Sequence, residues 1–334
     1  MTSLTKKVMV AVAGATIIAG LAVAPAQAAP KSGLKIAVIP KAVNIGYFTG
    51  WNQGAQKACK ELKAAKCDYI GPTQATGAAQ LKFINQAIQQ RYNAIVLSAA
   101  DQVALAPALK KAKAAGICVV TSDADVKDTT TRAASVLPAS AQRIGEAEVD
   151  WIAQEIGGAG KVAILSASST AANQNAWIDY MKAYLPKKYP NIQLVGVYYG
   201  DDDATKSAQQ YNQILTEHPD IKGIISPTTV GIRAAAQEKK SKGGTVAITG
   251  LGLPSEMKDY VLGGQVTKFG LWNPIDLGYV GTYAAAECAS NGNKVPKSIK
   301  AGGKTYTQGE SGIIYLGDPA TFDKSNIVKF AAIY

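Results

Sequence analysis

The sequence predicts an α/β protein made of two doubly wound, Rossmann-like lobes joined by a multi-strand hinge. Three observations predict it. Short β-branched runs alternate with helical stretches at intervals of roughly 25 to 30 residues, the rhythm of βαβ units. The runs are continuously apolar, as parallel strands covered on both faces must be. The rhythm then restarts near residue 160, so two sheets are needed.

The first strand is Lys35-Ile36-Ala37-Val38-Ile39, followed by Ala55, Ala58, Leu62 and Ala65 at helical spacing. Next come Cys67-Asp68-Tyr69-Ile70, a helix carrying Leu81, Ile84 and Ile88, and the strand Ala94-Ile95-Val96-Leu97. A helix over about 103–114 leads to a strand over 117–121. A long amphipathic helix from about Ala141 to Ile156 precedes the second series, which opens with Lys161-Val162-Ala163-Ile164-Leu165. That series continues through strands at 192–199, 223–226, 246–250 and 268–272. Gly157-Gly158 and Gly263-Gly264 read as helix C-termini.

No Gly/Ser or Pro-rich linker separates the series, so the chain is expected to cross directly near Leu137-Pro138 and Asn273-Pro274. The first lobe then takes 34–138 plus about 274–303, and the second takes 139–273 plus about 304–334. Short multiple crossings confine motion largely to opening and closing.

The N-terminus carries Lys6 and Lys7, an apolar run from Val8 to Ala24 and the small-x-small site Ala26-Gln27-Ala28. This predicts a Sec signal peptide over 1–28 and export to the periplasm. No cysteine stands at the cleavage site to take a lipid. The remaining chain, about 300 residues, suits two domains of ordinary size. The formal net charge is +11, spread over short clusters such as Lys110-Lys111 and Lys239-Lys240. Without a basic-aromatic stripe or helix-turn-helix, that charge reads as solvated surface and excludes a nucleic-acid partner. Cys59 and Cys67 are close enough in sequence to bridge or to remain free. Cys118, inside Ile117-Cys118-Val119-Val120, reads as a free core thiol. No zinc or redox spacing is present.

In doubly wound sheets ligands lie beyond the C-terminal strand ends, so the βα loops hold the candidates. These loops supply Lys41, Tyr47, Phe48, Asp123, Asn173, Gln174, Trp177, Pro227, Thr229, Trp272 and Asn273. A carboxylate at Asp123 can accept two hydroxyl hydrogen bonds; Lys41 can donate to an oxygen and balance the charge; Asn173 and Gln174 both donate and accept, as hydroxyls do. Flat faces at Tyr47, Phe48, Trp51, Trp177 and Trp272 suit the C–H face of a sugar ring. The inventory describes a neutral, oxygen-rich ligand of about one ring. It contains no histidine and no cysteine, and the one histidine, His218, falls at a helix end. No G-x-S-x-G elbow, H-E-x-x-H helix or phosphate loop occurs, so no catalysis, metal or cofactor is expected. Asp201-Asp202-Asp203 lacks the Gly and distal Glu of a calcium loop, and Asp203 reads as the cap of a helix beginning at Ala204.

The segments Ile39-Pro40-Lys41, Gly46-Tyr47-Phe48-Thr49, Tyr92-Asn93-Ala94-Ile95, Asp203-Ala204-Thr205-Lys206-Ser207, Ala234-Ala235-Ala236-Gln237 and Phe269-Gly270-Leu271-Trp272 resemble the ribose-type periplasmic sugar-binding proteins. Within them the chain is similar to the subgroup of rhamnose-binding and autoinducer-2-binding proteins. The resemblance implies the periplasmic binding protein type I fold, a monomer without cofactor, a small sugar-like ligand and the permease of an ABC importer as partner. In the autoinducer-2 binders a lysine, two aspartates, a glutamine, a proline carbonyl and an alanine hold the ligand. Lys41, Asp123, Gln174 and Pro227 match four of these, while Asn173 replaces the second aspartate and Thr229 the alanine. Ala124 and Gln174 stand where ribose binders have arginines. The segment Leu271-Trp272-Asn273-Pro274-Ile275-Asp276-Leu277-Gly278-Tyr279 looks like the rhamnose-type members. The resemblance therefore implies a rhamnose-like deoxyhexose first and autoinducer-2 second.

Overall fold

The structure, a computed structural model, describes residues 32–334, so the expected signal peptide lies outside the described residues. The first series runs β1 (Lys35–Ile39), α1 (Gly46–Glu61), β2 (Lys66–Tyr69), α2 (Gly77–Gln89), β3 (Ala94–Leu97), α3 (Ala106–Ala114), β4 (Cys118–Ser122) and β5 (Ala134–Leu137). Its strands pair in parallel in the order β5-β4-β3-β1-β2. Alternation sorts the strand residues between two apolar layers: Ala37, Ile39, Ile95, Leu97 and Val119 join one core cluster, while Ile36, Val38, Val96 and Val120 join the other. Burial on both faces accounts for the uninterrupted apolar runs.

The second series is α4 (Ala141–Glu155), β6 (Gly160–Ser166), α5 (Ala172–Lys188), β7 (Ile192–Tyr199), α6 (Ala204–Glu217), β8 (Ile221–Ser226), α7 (Thr229–Lys242), β9 (Ala247–Gly250), α8 (Pro254–Leu262) and β10 (Lys268–Leu271). Parallel pairing gives the order β7-β6-β8-β9, and a bridge from Leu251 to Gly270 carries the sheet on to β10. Polar caps set several helix starts: Ser140 Oγ accepts from Arg143 N, and Asp203 Oδ1 from Lys206 N, the latter at 2.8 Å as its sequence position predicts. Gly157 and Gly158 follow the end of α4 with positive φ, and Gly263 is the C-cap of α8.

The chain then re-enters the first lobe as α9 (Pro274–Ser290). It packs lengthwise against α1, which requires glycines at the crossing: a Cβ on Gly54 would lie 1.8 Å from Ile275 O, and one on Gly278 would lie 1.8 Å from Trp51 O. The hairpin β11 (Ser298–Ala301) and β12 (Lys304–Thr307) follows, then β13 (Ile313–Tyr315), β14 (Ala320–Asp323) and α10 (Ile327–Ala331). The expected final boundary near residue 304 is corrected here. β13 pairs with β5 as the sixth strand of the first sheet, and the crossing comes only before β14, which pairs antiparallel with β10. Three crossings therefore connect the lobes, at the ends of β5, β10 and β13.

Among the described residues all four cysteines are paired, Cys59 with Cys67 and Cys118 with Cys288. The free thiol expected at Cys118 is wrong, because α9 passes across β4 and brings Cys288 to a Cα separation of 6.0 Å.

Candidate functional site

The strand C-termini of both sheets face one cleft. It contains a cavity of about 400 Å³, counting all space between its walls. Lys41 follows β1, Tyr47 and Phe48 open α1, and Asp123 follows β4. From the opposite lobe come Asn173, Gln174 and Trp177 in the first turns of α5, Pro227 to Thr229 after β8, and Trp272 after β10. Ten of the eleven site residues chosen from sequence thus line one cavity. Asn273 does not: its side chain accepts from Ile275 N at 2.9 Å and caps α9. Nor does Trp51, also read as a flat face for the ligand: it is fully buried and its Nε1 donates to Ser122 Oγ at 3.0 Å.

Asp123 is buried and held at φ +79°, a left-handed conformation that aspartate tolerates better than most residues. Tyr47 OH donates to its Oδ1 at 2.8 Å, Ser98 Oγ donates to its Oδ2 at 2.7 Å, and Trp272 Nε1 donates to Tyr47 OH at 2.7 Å. Burial, followed by the Asp123 charge, pushes the Tyr47 phenol well above its ordinary pKa, so it remains a donor. Each Asp123 oxygen has accepted one bond. A carboxylate has about four acceptor positions, so capacity for ligand hydroxyls remains.

Lys41 is buried, and its Nζ donates to Asn173 Oδ1 across the cleft at 3.0 Å. Gln174 Oε1 accepts from Ser166 Oγ and Ala167 N, both at 3.0 Å, so the carbonyl end of the amide is spent and its NH2 is left to donate. Trp272 packs edge-on against Trp177, with ring centroids 5.7 Å apart, and against Tyr47 at 6.5 Å. The result is a set of charged and amide groups between rigid aromatic faces.

The sequence reading missed Asp202 and Thr228, which also line the cavity, together with the apolar Ile45, Leu251 and Leu271. Thr228 Oγ1 donates to Asp202 Oδ1. Burial raises the Asp202 carboxyl above its ordinary pKa, and Asp123 and Asp201 add to the rise, while Lys41 and the Thr228 bond oppose it. The signal for Asp202 was its place after a strand of the second series; the adjacent cap at Asp203 drew the whole triplet into a structural reading. Among the described residues no cluster could hold a metal ion, and no helix is long and apolar enough to cross a membrane.

Two α/β lobes, three crossings and a cleft lined from both sides are the architecture of a solute-binding protein. The chain belongs to the periplasmic binding protein family: the model of the periplasmic binding protein domain matches residues 36–294. It is a substrate-binding protein of the ABC-transporter class and not an enzyme. An ABC transporter solute binding protein from Clostridium phytofermentas, solved with bound L-rhamnose, is 38% identical with a TM-score of 0.86, covering 91% of this chain and 99% of its own. LsrB from Clostridium saccharobutylicum, in complex with AI-2, is 30% identical with a TM-score of 0.84, covering 89% of this chain and 99% of its own. The ribose import binding protein of Bacillus subtilis is 25% identical over 292 residues, 85% of this chain and 90% of the relative.

Proposed function

We propose that this chain is the extracytoplasmic receptor of an ABC importer, exported as a monomer, and that it captures a neutral monosaccharide, a rhamnose-like deoxyhexose, by closing its lobes. The observation that carries the reading is the cavity wall itself. Asp123, Lys41 and the neutral amides of Asn173 and Gln174 meet between Trp177, Trp272 and Tyr47. Carboxylate and amides exchange hydrogen bonds with hydroxyls, and the rings cover the apolar face of a pyranose. Lys41 and Asp123 belong to one lobe, and Asn173, Gln174, Pro227 and Thr229 to the other. A ligand that meets both sets favours the closed state, in which alone both contacts exist. The rhamnose-bound relative supports this ligand class.

Autoinducer-2 is the second reading, supported by the AI-2-bound relative. Asn173 and Thr229 argue against it, since one lacks a charge and the other adds a hydroxyl and bulk. A thermal-shift screen of L-rhamnose, other monosaccharides and autoinducer-2 tests the choice. L-rhamnose is expected to give the largest shift, and Asn173→Asp with Thr229→Ala to move preference toward autoinducer-2. A wild-type chain stabilised by autoinducer-2 alone would replace the first reading with the second.

A further inference from the structure

We propose that Asp202 is a ligand-binding residue of the cleft, a second carboxylate that accepts sugar hydroxyls from the side of the second lobe. The proposal rests on the reading of the cleft as a monosaccharide site.

The three consecutive aspartates after β7 have three different environments. Asp201 is exposed and pairs with Lys206 Nζ at 3.0 Å. Asp203 is exposed and caps α6. Asp202 alone turns inward and joins the cavity wall. Its direction comes from the backbone: Asp201 and Asp202 adopt φ of 55° and 50°, two successive left-handed residues that are not glycine. Gly200 N to Ser166 O at 2.9 Å, Asp201 N to Ala167 O at 2.7 Å and Asp203 N to Gly200 O at 2.9 Å fix the turn. Non-glycine residues persist in this region where the surrounding structure enforces it, and such positions cluster at ligand sites. Asp123, the carboxylate on the opposite wall, also has positive φ.

The chemistry of the wall points the same way. Asn173 and Gln174 are neutral, so among the described residues Asp202 is the one carboxylate that the second lobe brings to the cavity. Thr228 occupies Oδ1, which leaves Oδ2 for a ligand. The cation facing Asp202 is Lys41, and the anions acting on it are Asp123 and Asp201. One lining ammonium against two lining carboxylates makes the cleft rich in acceptors. A neutral polyol, whose hydroxyls can all donate, fits that excess; an anionic sugar meets like charge.

The test is calorimetry on the mature protein with L-rhamnose, D-ribose, D-allose and autoinducer-2, following the tightest binder through a set of variants. Asp202→Asn keeps an acceptor for Thr228 and removes the charge; Asp201→Asn is the neighbouring control; Asp123→Asn reports on the opposite wall. Asp202→Asn is expected to weaken binding about 10- to 100-fold, the range for losing a hydrogen bond to a charged group, with an unchanged melting temperature. Asp201→Asn is expected to bind as wild type. If Asp202→Asn binds within twofold of wild type while Asp123→Asn fails, Asp202 is only a tie between its turn and Thr228, and the reading of the cleft stands. A lowered melting temperature with unchanged affinity also assigns Asp202 to structure alone. If Asp123→Asn and Asp202→Asn both bind as wild type, the cleft reading and this proposal fall together.

Discussion

Lys41 of the first lobe donates to Asn173 Oδ1 of the second at 3.0 Å, a direct bond between the lobes across the cleft. The same oxygen accepts from Gln174 N, also at 3.0 Å, which orients Asn173 for it. The bond joins an ammonium to a neutral carbonyl. Asn173→Asp turns it into an ion pair, adding Coulombic attraction between the lobes to the hydrogen bond. The ligand-free Asn173→Asp variant is therefore expected to spend more time closed, with a smaller radius of gyration in X-ray scattering than wild type. Equal radii would show that this bond has no part in closure.

Gly46 opens α1 opposite α8 of the other lobe. A Cβ there would lie 2.4 Å from Glu256 Oε1 and 3.4 Å from Leu253 Cδ2. Its φ is not left-handed, so the glycine serves close approach and not backbone freedom. Gly46→Ala is expected to penalise closure by about 1 kcal/mol and so weaken sugar binding about fivefold, with no loss of thermal stability. The double variant with Glu256→Ala, which clears the obstruction, should recover most of the affinity. Wild-type affinity in Gly46→Ala would mean that the contact is absent from the bound state.

The two disulfides close very different loops, eight residues for Cys59–Cys67 and 170 for Cys118–Cys288. Loop-closure entropy predicts a larger effect for the long one, about 5 kcal/mol against about 2.5 kcal/mol as upper values. Cys118→Ala with Cys288→Ala should therefore lower the denaturation midpoint further than Cys59→Ala with Cys67→Ala. Both bridges lie in the first lobe away from the cavity, so ligand affinity should survive under conditions where each variant is folded. Equal midpoints would contradict the entropic account.

Glu148, fully buried in α4, has no hydrogen-bond partner among the described residues at either carboxyl oxygen. Burial holds its pKa well above the ordinary carboxylate range. The folded chain thus keeps a proton that the unfolded chain releases near pH 4.3, and this contribution to stability is lost as pH rises through that value toward the folded pKa. Glu148→Met removes the cost, and is expected to stabilise the protein by about 1–3 kcal/mol at neutral pH and by less near pH 4. Denaturant unfolding at several pH values measures this. A gain independent of pH would assign the effect to packing.

The strand-helix alternation was legible because parallel strands buried on both faces leave unbroken apolar runs, as in Ala94–Leu97. The last crossing was not. β13 has only three residues, and what places it in the first sheet is pairing with β5, far away in sequence. Cys118 was misread for a similar reason, since its partner arrives on a helix 170 positions later. The cleft was legible where a βα loop carried residues with no local duty. Asn273 and Asp202 show the limit: a polar residue beside a helix start can cap the helix or face the cavity, and only the backbone conformation separates the two.

The central claim is capture without conversion. The most direct test is calorimetric titration of the purified protein with L-rhamnose, followed by release and identification of the bound sugar. The account predicts one sugar per chain, recovered unchanged, with binding abolished by Asp123→Ala in a protein that still folds. Chemical conversion of the sugar, or saturable binding that persists in Asp123→Ala, would contradict it.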